Sequence, residues 1–250
     1  MNSYELETQI CGPIQHIGMS FYFEPGTKAL GREIGLNVVE FYGVGRGGVL
    51  GDVEIVEVQR AFWFFHDDAI IGMYGSGRVK IEPIDAAKAH LQAAYVFADE
   101  KFGQLDEATL SAFAAAATKV IAAVPAGHYA LFDGYRSFEV PTEPVHAAYH
   151  ATILLRELRG GVHIDTTQEV GLAPNEACFV TNEAIFQLHG YTDADAPADK
   201  EKLALQLAEA EELTTKTMAG YLDVLSDAER DAMAAGVAAM ADALSAGAAT

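Results

Sequence analysis

The stretch 143–158, EPVHAAYHATILLREL, constrains the fold more than any other. Pro144 favours a helix start, with Thr142 as the expected N-cap and Gly160-Gly161 as the expected stop. Wound as a helix it has no polar face, because most positions are Ala, Val, Ile, Leu, Tyr or Thr. A helix that is apolar all round is buried, so the rest of the chain must pack about it. Yet it carries His146, His150, Arg156 and Glu157. His146, His150 and Glu157 fall within about 60° of one another on a 3.6-residue helix. These groups must find partners, since an unpaired buried charge is too costly to persist.

The remaining sequence also reads mostly as helix. Segment 106–124 is alanine-rich, opens with acids and stops at Pro125-Ala126-Gly127, while 83–101 begins with Pro83 and spaces its apolar residues helically. The tail 199–246 predicts two helices, with Ser226 and Glu229 as a capping box for the second. Residues 52–72 are ambiguous: VEIVEV alternates like a strand, whereas VQRAFWFFHDDAII suits a buried helix. Loops are expected at 44–51, 75–78, 125–128 and 190–198. The break at 125–128 divides the chain into halves, 1–125 and 126–250. Arg46-Gly-Gly-Val49 recurs as Arg159-Gly-Gly-Val162, each after a stretch that begins behind a Glu-Pro pair. We read this as a tandem duplication.

Composition excludes several classes. Half of the 250 residues are apolar and 21% are charged, which rules out disorder as a global description. No apolar run approaches the roughly 18 residues of a membrane span. The opening MNSYELE has neither the charged nor the apolar region of a signal peptide. Cys11 and Cys178 are too few for a disulfide framework, so a reducing cytoplasm is expected, and Cys178 reads as an inert buried thiol. With 36 acids against 16 bases and a net charge of −20, the chain is poorly suited to a polyanion unless its cations cluster.

The second half carries a helix-turn-helix pattern: ATILLRELRGG, then HIDTTQEVGLAPNEACFVTNEAI, reads as helix, glycine turn, short helix, Gly-Leu-Ala turn and a further helix. YLDVLSDAERDAMAAGVAAMADAL resembles the terminal helix of MarR-type winged-helix regulators. More of the chain resembles an uncharacterised actinobacterial family of helix-turn-helix-like proteins. The matching pieces are Pro13-Ile-Gln-His16, Gly35-Leu36, Phe41-Tyr42-Gly-Val-Gly45-Arg46 with Leu50-Gly51, and Phe64-Phe65-His66. They continue with Tyr149-His150-Ala-Thr-Ile-Leu-Leu155-Arg156-Glu157, Arg159-Gly160 with His163, Gly171-Leu172 and Glu176-Ala177. Asp67 departs from the proline usual in that family, and 191–220 is poor in the wing-like pattern. The resemblance implies a winged-helix-derived fold and no established activity. The expected architecture is mostly α, two tandem winged-helix-like halves with minor β elements.

A winged helix that reads DNA brings Arg and Lys to phosphates and base edges. Between Arg159 and Lys200 there is neither, while Asp165, Glu169, Glu176 and Glu183 fall inside the motif. Residues 190–250 add twelve acids against four bases. DNA binding by a MarR-like dimer is therefore the second reading, and a structural or partner-binding module the third. The leading expectation is a small anionic ligand held between the halves. Arg46, His66, Tyr149, Arg156 and Arg159 would bind it, and His16, His150, Glu157 and His163 would serve in proton transfer or metal ligation. Binding alone does not require so many titratable groups, which tilts the reading towards an enzyme of unassigned reaction.

The alternatives are plain. In the plainer reading Glu157 pairs with Arg156 or Arg159, each histidine bonds a carbonyl or a tyrosine, and Arg-Gly-Gly marks helix ends. Imidazole and carboxylate suit zinc, iron or manganese, but no HExxH spacing is present, so the cofactor stays unassigned. The run Phe62-Trp63-Phe64-Phe65-His66, with Phe21-Tyr22-Phe23, suits core packing, or the wall of a planar-ligand site such as haem with His66 axial. VGRGGVLG matches neither GxGxxG nor a Walker A loop, and no GxSxG occurs. His90 and His128 lie outside the pattern and receive no role.

Overall fold

Asn2 starts the first helix by accepting from Glu5 N at 2.8 Å while the Glu5 carboxylate takes Asn2 N–H at 2.8 Å, a reciprocal cap. In the computed structural model, which describes residues 1–247, helices follow one another along the chain. They are α1 (Ser3–Met19), α2 (Pro25–Glu33), α3 (Val38–Gly47) with a 3-10 turn Gly48–Leu50, α4 (Ile55–Ala61), α5 (Asp67–Ile70) and, after a π turn Ile71–Gly75, α6 (Ser76–Arg78). Then come α7 (Pro83–Phe102), α8 (Glu107–Ala123), α9 (Ala130–Arg136), α10 (Pro144–Glu169), α11 (Pro174–Thr181), α12 (Glu183–Leu188), a 3-10 turn Asp193–Asp195, α13 (Lys200–Leu222) and α14 (Asp227–Gly247). Ser226 and Glu229 do form the capping box of α14.

Among the described residues there is no strand, which corrects the expected minor β elements and, with them, the two winged-helix halves: no wing is built. VEIVEV shows why. From Ile55 it is wound into α4, whose buried side is Val58 and, one turn on, Phe62 at 3% exposure, with Val56 facing out. As a helix the segment satisfies its own N–H groups, whereas no other strand exists to pair with it. The supposed loops at 44–51 and 75–78 are likewise mostly helical.

α10 is the axis of the molecule. It runs 26 residues, straight through Gly160-Gly161, and starts from Glu143 as N-cap, not Thr142. Every residue from Ala148 to Leu155 is buried, as the absence of a polar face requires. α1, α7, α8, α9 and α13 all pack on it, and the main core draws on residues from Leu6 to Met240, on both sides of the 125–128 break. Each fully buried Leu or Ile of this helix contributes roughly 1.5–3 kcal/mol by leaving water.

The Arg-Gly-Gly repeats are packing devices; the first does end a helix, with Gly48 as the C-cap of α3, whereas α10 runs on through the second. A Cβ on Gly48 would lie 1.9 Å from the Pro83 carbonyl oxygen, where the end of α3 meets the start of α7. A Cβ on Gly161 would lie 2.6 Å from the Tyr129 ring. The second glycine of each copy thus permits a close approach, and so seats the arginine two residues before it.

Candidate functional site

Arg46 lies in the last turn of α3, and Tyr42 lies one turn earlier on the same face. Its guanidinium crosses to Glu157 of α10, with Nε donating to Oε1 at 2.9 Å and Nη2 to Oε2 at 2.8 Å. Nη1 donates to the Tyr42 hydroxyl at 3.2 Å, and the Phe62 ring covers the group at 4.6 Å. Arg156 reaches the same carboxylate, Nη1 donating to Glu157 Oε1 at 2.6 Å and to the Tyr22 hydroxyl at 2.9 Å. Its Nε is buried with no partner. Two guanidiniums therefore share one carboxylate whose side chain is 1% exposed. Burial alone would push the Glu157 carboxyl up, but Arg46 and Arg156 together outweigh it and hold it below the ordinary range. The cluster carries one uncompensated positive charge.

That charge sits at the wall of a cavity of about 420 Å³, within the size range of small-molecule sites. Phe62, Phe64 and Phe65 from the segment after α4 form one part of its lining, and Tyr129, Leu131 and Phe132 of α9 and its approach form another. Arg159 and His163 also line it and belong to a second polar group. Arg159 Nη2 donates to Glu211 of α13 at 2.7 Å, and its Nε lies 3.7 Å from Glu7 Oε1 on α1. His163 Nδ1 is 3.0 Å from the Thr214 hydroxyl, and the Phe64 ring stacks on its imidazole at 5.6 Å. Burial lowers the His163 pKa, against the pull of Glu211. Burial pushes the Glu7 carboxyl up to about 7, with Arg159 opposing.

Of the nine expected site residues, Arg46, Arg156, Glu157, Arg159 and His163 line this cavity. The other four do not, which corrects the single hollow that was to hold them all. His16 is exposed on α1. His66 caps α5, its Nδ1 accepting from Asp68 N at 3.2 Å, and packs edge-on against Tyr191. Tyr149 is buried and donates to the Ile17 carbonyl at 2.9 Å. His150 is buried with Nδ1 at 2.7 Å from the Tyr95 hydroxyl of α7 and Nε2 without a partner. His150 and Glu157 do lie on nearly the same face of α10, but seven residues are about 10 Å along a helix axis. At the level of His150, and of His146 with its bond to Asp99, α7 covers that face.

Sequence reasoning missed several members. Tyr42 was legible in principle, four residues before Arg46. His128 reaches the cavity from a loop, 2.8 Å from Asp165, and His189 from the end of α12, its ring 4.3 Å from that of Phe65; no local pattern signals either. His90 is fully buried between Phe21, Tyr22 and Phe41, with both ring nitrogens unpartnered and its pKa pushed down to about 3 by burial, with Arg46 adding to the effect. Among the described residues no three His, Cys, Asp or Glu side chains converge to hold a metal ion. Cys178 is buried and its thiol is pushed up to about 12, consistent with an unreactive thiol. Among the described residues no helix is long and apolar enough to cross a membrane.

The floor of the site leads directly into two helices about a tight turn. α10 ends at Glu169, Gly171 turns the chain at φ +79°, and Pro174 starts α11. The glycine turn expected at 160–161 is absent, while the Gly-Leu-Ala turn expected at 171–173 is present. Comparison with curated proteins and with solved structures finds no match. A family model does match, over residues 8–246, nearly the whole chain. On that match, and with α10, the Gly171 turn and α11 in the arrangement its description names, the protein belongs to a helix-turn-helix family.

Proposed function

We propose that this protein binds a small anionic ligand in the cavity bounded by α3, α9 and α10, with Arg46 and Arg156 as the anchoring cations. One observation carries the reading: two largely buried guanidiniums share a single buried carboxylate at the wall of a cavity. Excess buried charge is unfavourable, and an anion entering the cavity would compensate it. Planar, always-charged arginine is suited to hold a carboxylate or phosphate group. The histidines at the wall would serve any proton transfer that accompanies binding, but the reading does not need it.

The rival is a MarR-like regulator that binds DNA; the family description supports the helix-turn-helix motif and nothing finer. The surface that would read DNA supports that rival poorly. α11 and α12 contain no Lys or Arg, and Glu176 and Glu183 lie in them. Phosphate neutralisation, the main source of affinity for a duplex, has no cations to work with there. The two free thiols fit a reducing compartment.

The test is thermal unfolding and calorimetry of the purified protein with acetate, benzoate, sulfate and phosphate, beside the variant Arg156→Gln. The variant removes the excess charge and leaves the Arg46–Glu157 pair. At least one anion should raise the melting temperature of the parent and lose that effect in the variant. Equal stabilisation of both proteins would place anion binding elsewhere and end the proposal.

A further inference from the structure

Resting on the anion-pocket reading, we infer the ligand class: a monocarboxylate with a flat, apolar body, and not a phosphate ester or other dianion. The first argument is charge. Four arginines line the cavity (Arg46, Arg60, Arg156 and Arg159), against three carboxylates, Glu57, Glu157 and Asp165. Arg159 is further occupied by Glu211 at 2.7 Å and Glu7 at 3.7 Å. Arg60 pairs with Glu57 and Arg159 with Glu211, so the excess left at the wall is the single positive charge that Arg46 and Arg156 hold over Glu157. It matches one negative charge, and a second would meet surrounding acids on a chain already at −20.

The second argument is the rest of the lining. Beyond the guanidinium head Phe62, Phe64, Phe65, Tyr129 and Phe132 make up much of the wall, and a fully polar anion such as phosphate would leave these rings facing water. A flat apolar body would cover them and gain the area removed from water. The cavity's volume leaves room for more than the anionic group alone.

Gly160 offers a test that spares the fold. It lines the cavity, lies inside α10, and no atom comes within 4 Å of where its Cβ would stand. Gly160→Leu places a side chain at that wall without disturbing the guanidiniums. Calorimetry with 2-naphthoate, 2-naphthamide, 2-naphthyl phosphate and inorganic phosphate separates the outcomes. The inference expects naphthoate to bind at least tenfold more tightly than the other three. It also expects Gly160→Leu to weaken naphthoate at least tenfold with no fall in melting temperature. Tighter binding of naphthyl phosphate or inorganic phosphate would overturn the monocarboxylate class and leave the anion pocket standing. Equal binding of naphthamide would overturn the charged head itself, and no binding by any of the four would overturn both.

Discussion

Arg46 and Glu157 stand 111 residues apart in the chain and meet in a two-point ion pair, at 2.9 and 2.8 Å, almost sealed from solvent. The pair joins α3 to the central helix, and Arg156 makes it a triad with one cation in excess.

Glu157→Gln should therefore be strongly destabilising, on the order of 3–5 kcal/mol, since it orphans two buried guanidiniums. Urea unfolding at pH 7 measures it. The double variant Arg46→Met, Glu157→Gln should recover part of the loss because one orphan cation is gone. A double variant as unstable as the sum of the single changes would show that the charges do not interact.

Glu7 should give the protein an unusual pH slope. Its folded carboxyl is pushed from 4.5 to about 7, so the folded state holds the proton more tightly than the unfolded chain. The stabilisation is full below about pH 4.5 and is lost as pH rises through 7, a change on the order of 3 kcal/mol. In Glu7→Gln this fall should vanish, leaving the variant more stable than the parent at pH 8. Parallel stability curves for the two proteins between pH 5 and 8 would refute the assignment.

His150 should act with the opposite sign. Burial depresses its pKa from 6.5 to about 4, so its contribution is present above pH 6.5 and is lost as pH falls through 4. The stability advantage of the parent over His150→Gln should shrink by about 3 kcal/mol across that window. Because His150 does not line the cavity, the same variant should bind anions as the parent does, as calorimetry would show.

The two glycines after Arg159 should respond oppositely. Gly160→Ala replaces an unhindered glycine inside a helix and should stabilise by roughly 0.5–1 kcal/mol. Gly161→Ala drives a methyl group to within 2.6 Å of the Tyr129 ring and should cost about 1–3 kcal/mol. Melting curves of the two variants shifting in the same direction would contradict the packing described for Gly161.

Much of the helical framework could be read from local chemistry. Pro83 and the acids at 106–107 start α7 and α8, Ser226 and Glu229 start α14, and the unbroken apolar surface of 148–155 predicted the burial of α10. Local signals failed where a residue has more than one use. Gly160-Gly161 looked like a stop because glycine often ends helices, but here one glycine admits Tyr129 and the helix continues. VEIVEV looked like a strand because alternation over six residues also fits a helix buried on one side.

The sequence by itself determined that the protein is largely helical, that the helix from Pro144 lies at its centre, and that the charged groups on that helix must find partners. Those conclusions follow from capping, periodicity and the cost of burying charge, all of which act over a few residues. Only the tertiary structure decided that Glu157 pairs with Arg46 as well as Arg156, that His150 and His16 stand apart from the cavity, and that His128 and His189 reach it. Such meetings depend on how far along α10 each neighbouring helix crosses, a distance that no local pattern encodes.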